Sequence, residues 1–182
     1  MISLQGAVQR SFTFPAPLPT ASAYFGDFRR VLTHLPHIRL VKAFAPDRFR
    51  VLYRTVELGV YDVRIYCDLA VTFDQARGLL RVTTASDLTP VKPRATLTSL
   101  TAQGAYQSTS SFQAAGDATQ VDYRLELRAR LPKPFGLGLV SDRTVERIAH
   151  SIVKWRIEEI ADGFIDRSIA DYRQRTRRRR TK

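Results

Sequence analysis

Residues 61–73 read YDVRIYCDLAVTF. Val63, Ile65, Cys67, Leu69, Val71 and Phe73 fall on one parity, and Asp62, Arg64, Tyr66, Asp68 and Thr72 on the other. Successive side chains of a strand point to opposite faces, so the pattern predicts a strand with one face on a core and one toward water. Residues 119–131 repeat it: Val121, Tyr123, Leu125, Leu127, Ala129 and Leu131 alternate with Asp122, Arg124, Glu126, Arg128 and Arg130. Neither strand can bury its apolar face alone, and each needs a second layer.

That layer stands at the end of the chain. After Ser141 or Asp142, both suitable N-caps, Val145, Ile148, Ala149, Ile152, Ile157, Ile160, Ala161, Phe164, Ile165 and Ile169 recur at helical spacing. A helix over 141–172 is ~45 Å long at ~1.5 Å per residue, enough to cross a sheet. Further strands are expected at 7–14, 38–44, 48–58, 79–85 and 104–114. Turns fall at Pro46-Asp47, Gly59, 74–78 and Gly116-Asp117. Within 48–58, Phe49, Val51 and Tyr53 share the apolar face. Pro15, Pro17 and Pro19 precede a helix over 20–33, with Thr20 as N-cap. Gly26 weakens that helix or divides it into two short ones. Residues 86–98, with Pro90 and Pro93, read as a loop or lid, and residues 132–140, with Gly136 and Gly138, as a flexible connection. The expected core includes Ile65, Leu69, Val71, Leu125, Leu127, Ile148, Ile152 and Phe164.

The 182 residues suit one domain over 1–172, followed by a basic disordered tail over 173–182. The tail, RQRTRRRRTK, holds six Arg and one Lys; removing those seven from the net charge of +12 leaves +5 for the body. The single Cys67 forbids an intrachain disulfide and suits a reducing, cytoplasmic setting. The opening residues MISLQGAVQRSFTF lack the apolar core of a signal peptide, and no stretch has the length of a membrane-spanning helix.

Three segments carry a resemblance to a known family. The first is the opening strand followed by Phe14-Pro15-Ala16-Pro17 and the helix bearing Tyr24-Phe25-Gly26-Asp27-Phe28. The second is Leu35-Pro36-His37 just before the next strand, and the third is the long last helix. Together with the element order they make residues 7–172 resemble the START/Bet v 1-like (SRPBCC, polyketide cyclase-type) superfamily. The resemblance implies an α+β helix-grip fold: a curved antiparallel sheet, here of about six or seven strands, wrapped around the C-terminal helix. It also implies a cavity between them for lipids, isoprenoids, sterols or polyketide-like molecules. The His/Asp arrangement expected of a cyclase is not visible.

Candidate site residues follow from these faces. Tyr106, Ser108, Ser110 and Phe112 share one face of their strand. If that face points inward, it places hydroxyls in an apolar pocket, as ligand sites do; in the opposite register the serines meet water. Tyr53, Tyr123 and Trp155 each offer an apolar ring with a polar handle, to a ligand or to the core. Cys67 reads as a small core residue. His34 and His37, separated by Leu35-Pro36, cannot converge on a metal, so neither a metal nor another cofactor is expected. Gly136-Leu137-Gly138 lacks the third glycine of a dinucleotide fingerprint. Arg175, Arg177, Arg178, Arg179 and Arg180 are candidates for anion binding, on nucleic acid or an anionic membrane surface, or else form a solubilising end. The first functional expectation is a non-enzymatic module binding an apolar or amphipathic small molecule. The alternatives are docking through the tail and a cyclase- or hydratase-type enzyme in the same cavity. The enzyme would be marked by a titratable group pointing inward, and the apolar faces show none.

Overall fold

The computed structural model describes residues 1–57, 59, 61–132 and 142–180, except the side chains of residues 142, 145, 146, 149, 179 and 180. The connection expected at 132–140 beyond Pro132, and the capping role of Ser141 or Asp142, lie outside the described residues. The chain opens with β1 (Ile2–Phe14), longer at its start than the alternation suggested. Then come α1 (Leu18–Gly26), α2 (Phe28–Val31) and a 3₁₀ turn over Leu32–His34. The strands β2 (Ile38–Ala45), β3 (Arg48–Glu57), β4 (Tyr61–Asp74), β5 (Leu79–Thr84), β6 (Arg94–Ala95), β7 (Ser99–Ala115) and β8 (Ala118–Leu131) follow, and α3 (Asp142–Arg180) ends the chain.

The eight strands form one sheet in the order β1-β8-β7-β5-β4-β3-β2, with β6 on β7. The helix-grip α+β architecture is present: the curved sheet takes α3 against its apolar face. One pairing departs from the antiparallel rule. The short β5 separates β4 from β7 only along Leu69–Asp74 and Ser108–Ser111. Beyond it the chain leaves the sheet, and β4 and β7 meet directly in parallel, from Asp62↔Ser99 to Cys67↔Gly104.

The helix expected over 20–33 is divided, as Gly26 allows. Thr20 is no cap: α1 begins at Leu18, with Pro19 in its first turn, where a missing N–H costs nothing. The Pro17 carbonyl accepts from the Thr20 and Ala21 amides at 2.9 and 3.0 Å. Asp27 then breaks the run and restarts it, its carboxylate accepting from the Arg30 amide at 3.2 Å. At the other terminus α3 runs to Arg180, so 173–180 is helical rather than the expected disordered tail. Nothing after Gly163 breaks a helix, arginine is a good helix former, and cations suit a helix C-terminus. Arg175 also bonds back to Asp171 at 2.9 Å.

Two glycines seat α3. A Cβ at Gly6 of β1 would meet Val153 at 3.0 Å, and one at Gly163 of α3 would meet Pro36 at 2.5 Å. Ile157, Ile160, Ala161 and Phe164 of α3 are buried, but Ile148 is 48% exposed and Ile152 only half-buried, against expectation. The interior explains why. At one end Phe14 packs on Tyr24, Phe25 and Tyr172, with ring centroids 4.9–5.1 Å apart, and Phe25 lies 5.2 Å from Phe112. Phe164 continues this stack to Tyr123 at 5.2 Å. At the other end, below Ile148 and Ile152, the side chains leave a space. Among the described residues no helix is long and apolar enough to cross a membrane.

Candidate functional site

The space is a cavity of about 440 Å³, within the usual ~300–1,000 Å³ range of small-molecule pockets. Its floor comes from alternate residues of three strands: Val51, Tyr53, Thr55 and Glu57 of β3, Val63, Ile65 and Cys67 of β4, and Leu127, Ala129 and Leu131 of β8. Its roof is the series Ile148, Ile152, Arg156 and Ile160 of α3, spaced by four and therefore on one face of the helix. Ile2 and Leu4 of β1 close one side, the buried Leu100 adds to the wall, and Leu97 and Pro132 stand at the rim. Leu97 is 78% exposed. Of the loop expected over 86–98, Leu97 reaches the cavity, as does Pro132 at the start of the expected connection.

The loop carrying Leu97 is tied down on the outer face of the sheet. Arg50 forms a two-pronged pair with Asp68 at 2.6 and 2.8 Å and donates to the Thr89 carbonyl at 2.7 Å. Gln103 donates to Asp68 at 3.1 Å and accepts from the Val91 amide at 3.1 Å. Asp68, on the parity expected to face water, is consequently buried.

Against the mostly apolar wall stands a polar set missing from the candidates named above. The Arg156 Nε donates to Glu57 at 2.9 Å and its second arm donates to Glu159 at 2.7 Å. Glu159 also meets His37 Nε2 at 3.0 Å. Glu57 and Arg156 line the cavity, each with a side chain only 14% exposed. Burial acts to lower the Arg156 pKa, but the bonds to both carboxylates outweigh it and hold the guanidinium above its ordinary value. Burial likewise acts to raise Glu159, and the bonds from His37 and Arg156 outweigh it and hold the carboxyl below its ordinary value. Burial pushes the Tyr53 hydroxyl up to about 12.

Of the candidate residues, Tyr53 and Tyr106 line the cavity. The inward register of β7 is the one realised, with Tyr106, Ser110 and Phe112 buried. The wall does not include Ser108, Ser110 or Tyr123, because these side chains lie toward the aromatic end. The Tyr123 hydroxyl meets the Tyr106 hydroxyl at 3.3 Å, so this pair divides the packed end from the hollow one. Burial raises the pKa of both tyrosines. Trp155 is not a wall residue either. It sits about 100° around the helix from Arg156, is 56% exposed, and packs its ring against the Arg156 guanidinium at 4.1 Å. Cys67 faces the cavity as a buried thiol, its pKa pushed up to about 12 by burial and then by the Asp68 charge. Arg175, Arg177 and Arg178 are exposed on the last turns of α3; the Arg179 and Arg180 side chains lie outside the description. Among the described residues no cluster of three or more His, Cys, Asp or Glu could hold a metal.

Two signals for the missed pair were present in the residues. The parity that places Phe49, Val51 and Tyr53 inward continues to Thr55 and Glu57. Arg156 interrupts the apolar i, i+4 series from Ile148 to Ile160.

No family model matches the chain, and no curated protein matches it in sequence. Solved structures do match in fold. The Zhui aromatase/cyclase from Streptomyces sp. R1128 is 11% identical with a TM-score of 0.57, covering 94% of this chain and 96% of that one. The di-domain ARO/CYC StfQ from the steffimycin biosynthetic pathway is 14% identical with a TM-score of 0.54, covering 95% of this chain and 52% of that one. A conserved protein from Geobacillus kaustophilus is 10% identical with a TM-score of 0.53, covering 93% of this chain and 95% of that one. At these identities the likeness is one of fold: the chain shares the helix-grip α+β architecture of these structures.

Proposed function

We propose that this protein binds an apolar or amphipathic small molecule, of lipid, isoprenoid or polyketide-like size, between its sheet and α3. The observation that carries the reading is the cavity of about 440 Å³, mostly apolar and polar at Tyr53, Thr55, Glu57 and Arg156. A mostly apolar pocket with a few placed polar groups is the usual form of a ligand site. The exposed rim residues Leu97 and Ile148 offer a route in past a loop anchored at Thr89 and Val91. The unpaired Cys67 suits a reducing compartment, and we place the protein in the cytoplasm on that basis.

Native mass spectrometry of the purified protein, followed by a thermal-shift screen with fatty acids, sterols, isoprenoids and flavonoids, tests this. A ligand at one hundred times its dissociation constant stabilises by ~2.7 kcal/mol. Ala129→Trp puts an indole into the space and is expected to abolish the shift while the fold persists. Absence of any co-purified molecule and of any shift would defeat the reading.

A second reading takes the same cavity as the seat of a cyclase- or hydratase-type reaction, and Glu57 with Arg156 in the wall is the observation that favours it. Docking on nucleic acid or an anionic membrane through Arg175, Arg177 and Arg178 is the third. It rests on their exposure on one continuous helix. Salt-dependent binding lost on removing 173–182 tests it.

A further inference from the structure

The polar set in the wall narrows the chemistry of the ligand. Arg156 is shared by two carboxylates, Glu57 at 2.9 Å and Glu159 at 2.7 Å, and Glu159 is also bonded to His37. With the imidazole neutral these four groups carry a net charge of minus one; with it protonated they carry none. In neither state is a positive charge left over. The other charged residue at the wall is Arg128. It lies on the opposite parity of β8 from Leu127 and Ala129, and its side chain is 57% exposed and paired with Glu126. Among the described residues, then, the cavity offers no spare cation to an incoming anion.

Hydrogen-bonding capacity is nonetheless unspent. A guanidinium has five donors, and the Arg156 bonds to Glu57 and Glu159 use two of them. Only one Glu57 oxygen accepts from Arg156. The wall next to them carries the hydroxyls of Tyr53, Thr55 and Tyr61, and the Tyr61 hydroxyl is itself tied to the Ser99 carbonyl at 3.2 Å. An incoming hydroxyl can donate to Glu57 and accept from Arg156 at once. A carboxylate can only accept, and it would add a third negative charge to one guanidinium in a poorly hydrated wall.

We infer that the molecule held in this cavity is an apolar body bearing an uncharged hydroxyl-type head beside Glu57 and Arg156, and that Glu57 selects against a carboxylate. This rests on the cavity reading above, and the test separates the two. Nile red, an uncharged apolar dye, reports occupancy by its fluorescence. Dodecanol and dodecanoate, matched in chain length, then compete it out. For the native protein dodecanol is expected to displace the dye at a concentration at least tenfold lower. Any apolar pocket penalises a carboxylate, so the decisive readout is how that ratio changes. In Glu57→Gln the ratio is expected to shrink on the order of tenfold, because one like charge has been removed. Glu159→Gln, further from the wall and a third exposed, is expected to shrink it less and in the same direction. It carries the test if the Glu57 variant does not fold. A ratio unmoved in the folded variants, or dodecanoate winning in the native protein, overturns the inference while the cavity reading stands. Failure of the native protein to take up Nile red at all overturns the cavity reading itself.

Discussion

The two ends of the interior are built from the same sheet and the same helix, yet one is filled and the other hollow. At the filled end rings gather around Phe164 of α3: Phe14, Tyr24, Phe25, Phe112 and Tyr123. At the hollow end the corresponding positions carry Val63, Ile65, Ala129 and Leu131, which are too short to meet Ile148 and Ile152 across the gap. Each end also has a polar knot on α3. At the filled end the Tyr24 hydroxyl meets His34 at 3.0 Å, Asp171 at 3.0 Å and the Ser168 carbonyl at 3.1 Å. At the hollow end the knot is Glu57, Arg156, Glu159 and His37, and half of it faces the cavity. One knot is packed on all sides; the other borders open space.

The sharpest way to break this comparison is truncation. Phe14→Ala, which opens a void among close-packed rings, is expected to cost ~3–5 kcal/mol. Leu97→Ala, at the rim of an existing void, is expected to cost under ~0.5 kcal/mol. Chemical denaturation midpoints measure both. Equal costs would mean that the two ends do not differ in packing. The knot at the hollow end comes next. Arg156→Met removes the cation that bonds both Glu57 and Glu159 and leaves two half-buried carboxylates without it. An expected loss of ~3 kcal/mol follows from breaking a buried pair on one side. A variant as stable as the native protein would show that water already reaches these groups.

A smaller effect separates the knots by pH. Burial holds the His34 pKa below its ordinary 6.5, with Asp171 opposing it. The unfolded chain therefore binds this proton before the folded one does, so the stability His34 contributes is complete above pH 6.5 and falls as pH drops below it. Asp171, whose burial is outweighed by bonds from Arg175 and Tyr24, is held below its ordinary 3.8. Its contribution is complete above that pH and lost as pH falls through the lower, folded value. Both changes run the same way. Melting temperatures at pH 7.5, 6 and 5 are expected to decline, and the decline should shrink in His34→Gln. A melting temperature that rises on acidification would contradict the buried, neutral imidazole.

Much of the fold was legible in the residues because period-2 alternation and a helical apolar stripe report one-sided burial directly. The inward rows of β4 and β8, and the packing of Ile157, Ile160 and Phe164, follow from that alone. The hollow end was not legible, since periodicity says which way a side chain points and not how far away its neighbour is. Hence Ile148 and Ile152 read as core, and Trp155 read as lining when its ring lies around the helix from the cavity. Asp68 read as solvent-facing because nothing local shows that residues 89–91 fold over it. Glu57 and Arg156 come from elements a hundred residues apart. Their pairing depends on where α3 crosses β3, which is a property of the folded chain.

The end of α3 gives the smallest expected effect and tests a different boundary of the filled end. Phe14 packs on Tyr172 at 4.9 Å, and Arg175 pairs with Asp171 at 2.9 Å. Arg173 and Arg177 stand four apart on the same helix, a like-charge spacing that costs ~0.2–0.5 kcal/mol. The Asp171–Arg175 pair contributes about as much in the other direction, and it is half-exposed and therefore screened. Removing residues 173–182 should consequently leave stability within ~0.5 kcal/mol of the full chain. Far-UV circular dichroism should still register the loss of eight helical residues, 173–180. Salt sharpens the test, because screening acts on both the repulsion and the pair: the Debye length falls from ~10 Å at 0.1 M to ~3 Å at 1 M. Since Arg173, Arg175, Arg177 and Arg178 outnumber Asp171 in these turns, added salt should raise the helical signal of the full chain and not that of the shortened one. An unchanged spectrum on truncation would mean that α3 ends with its aromatic anchor at Tyr172.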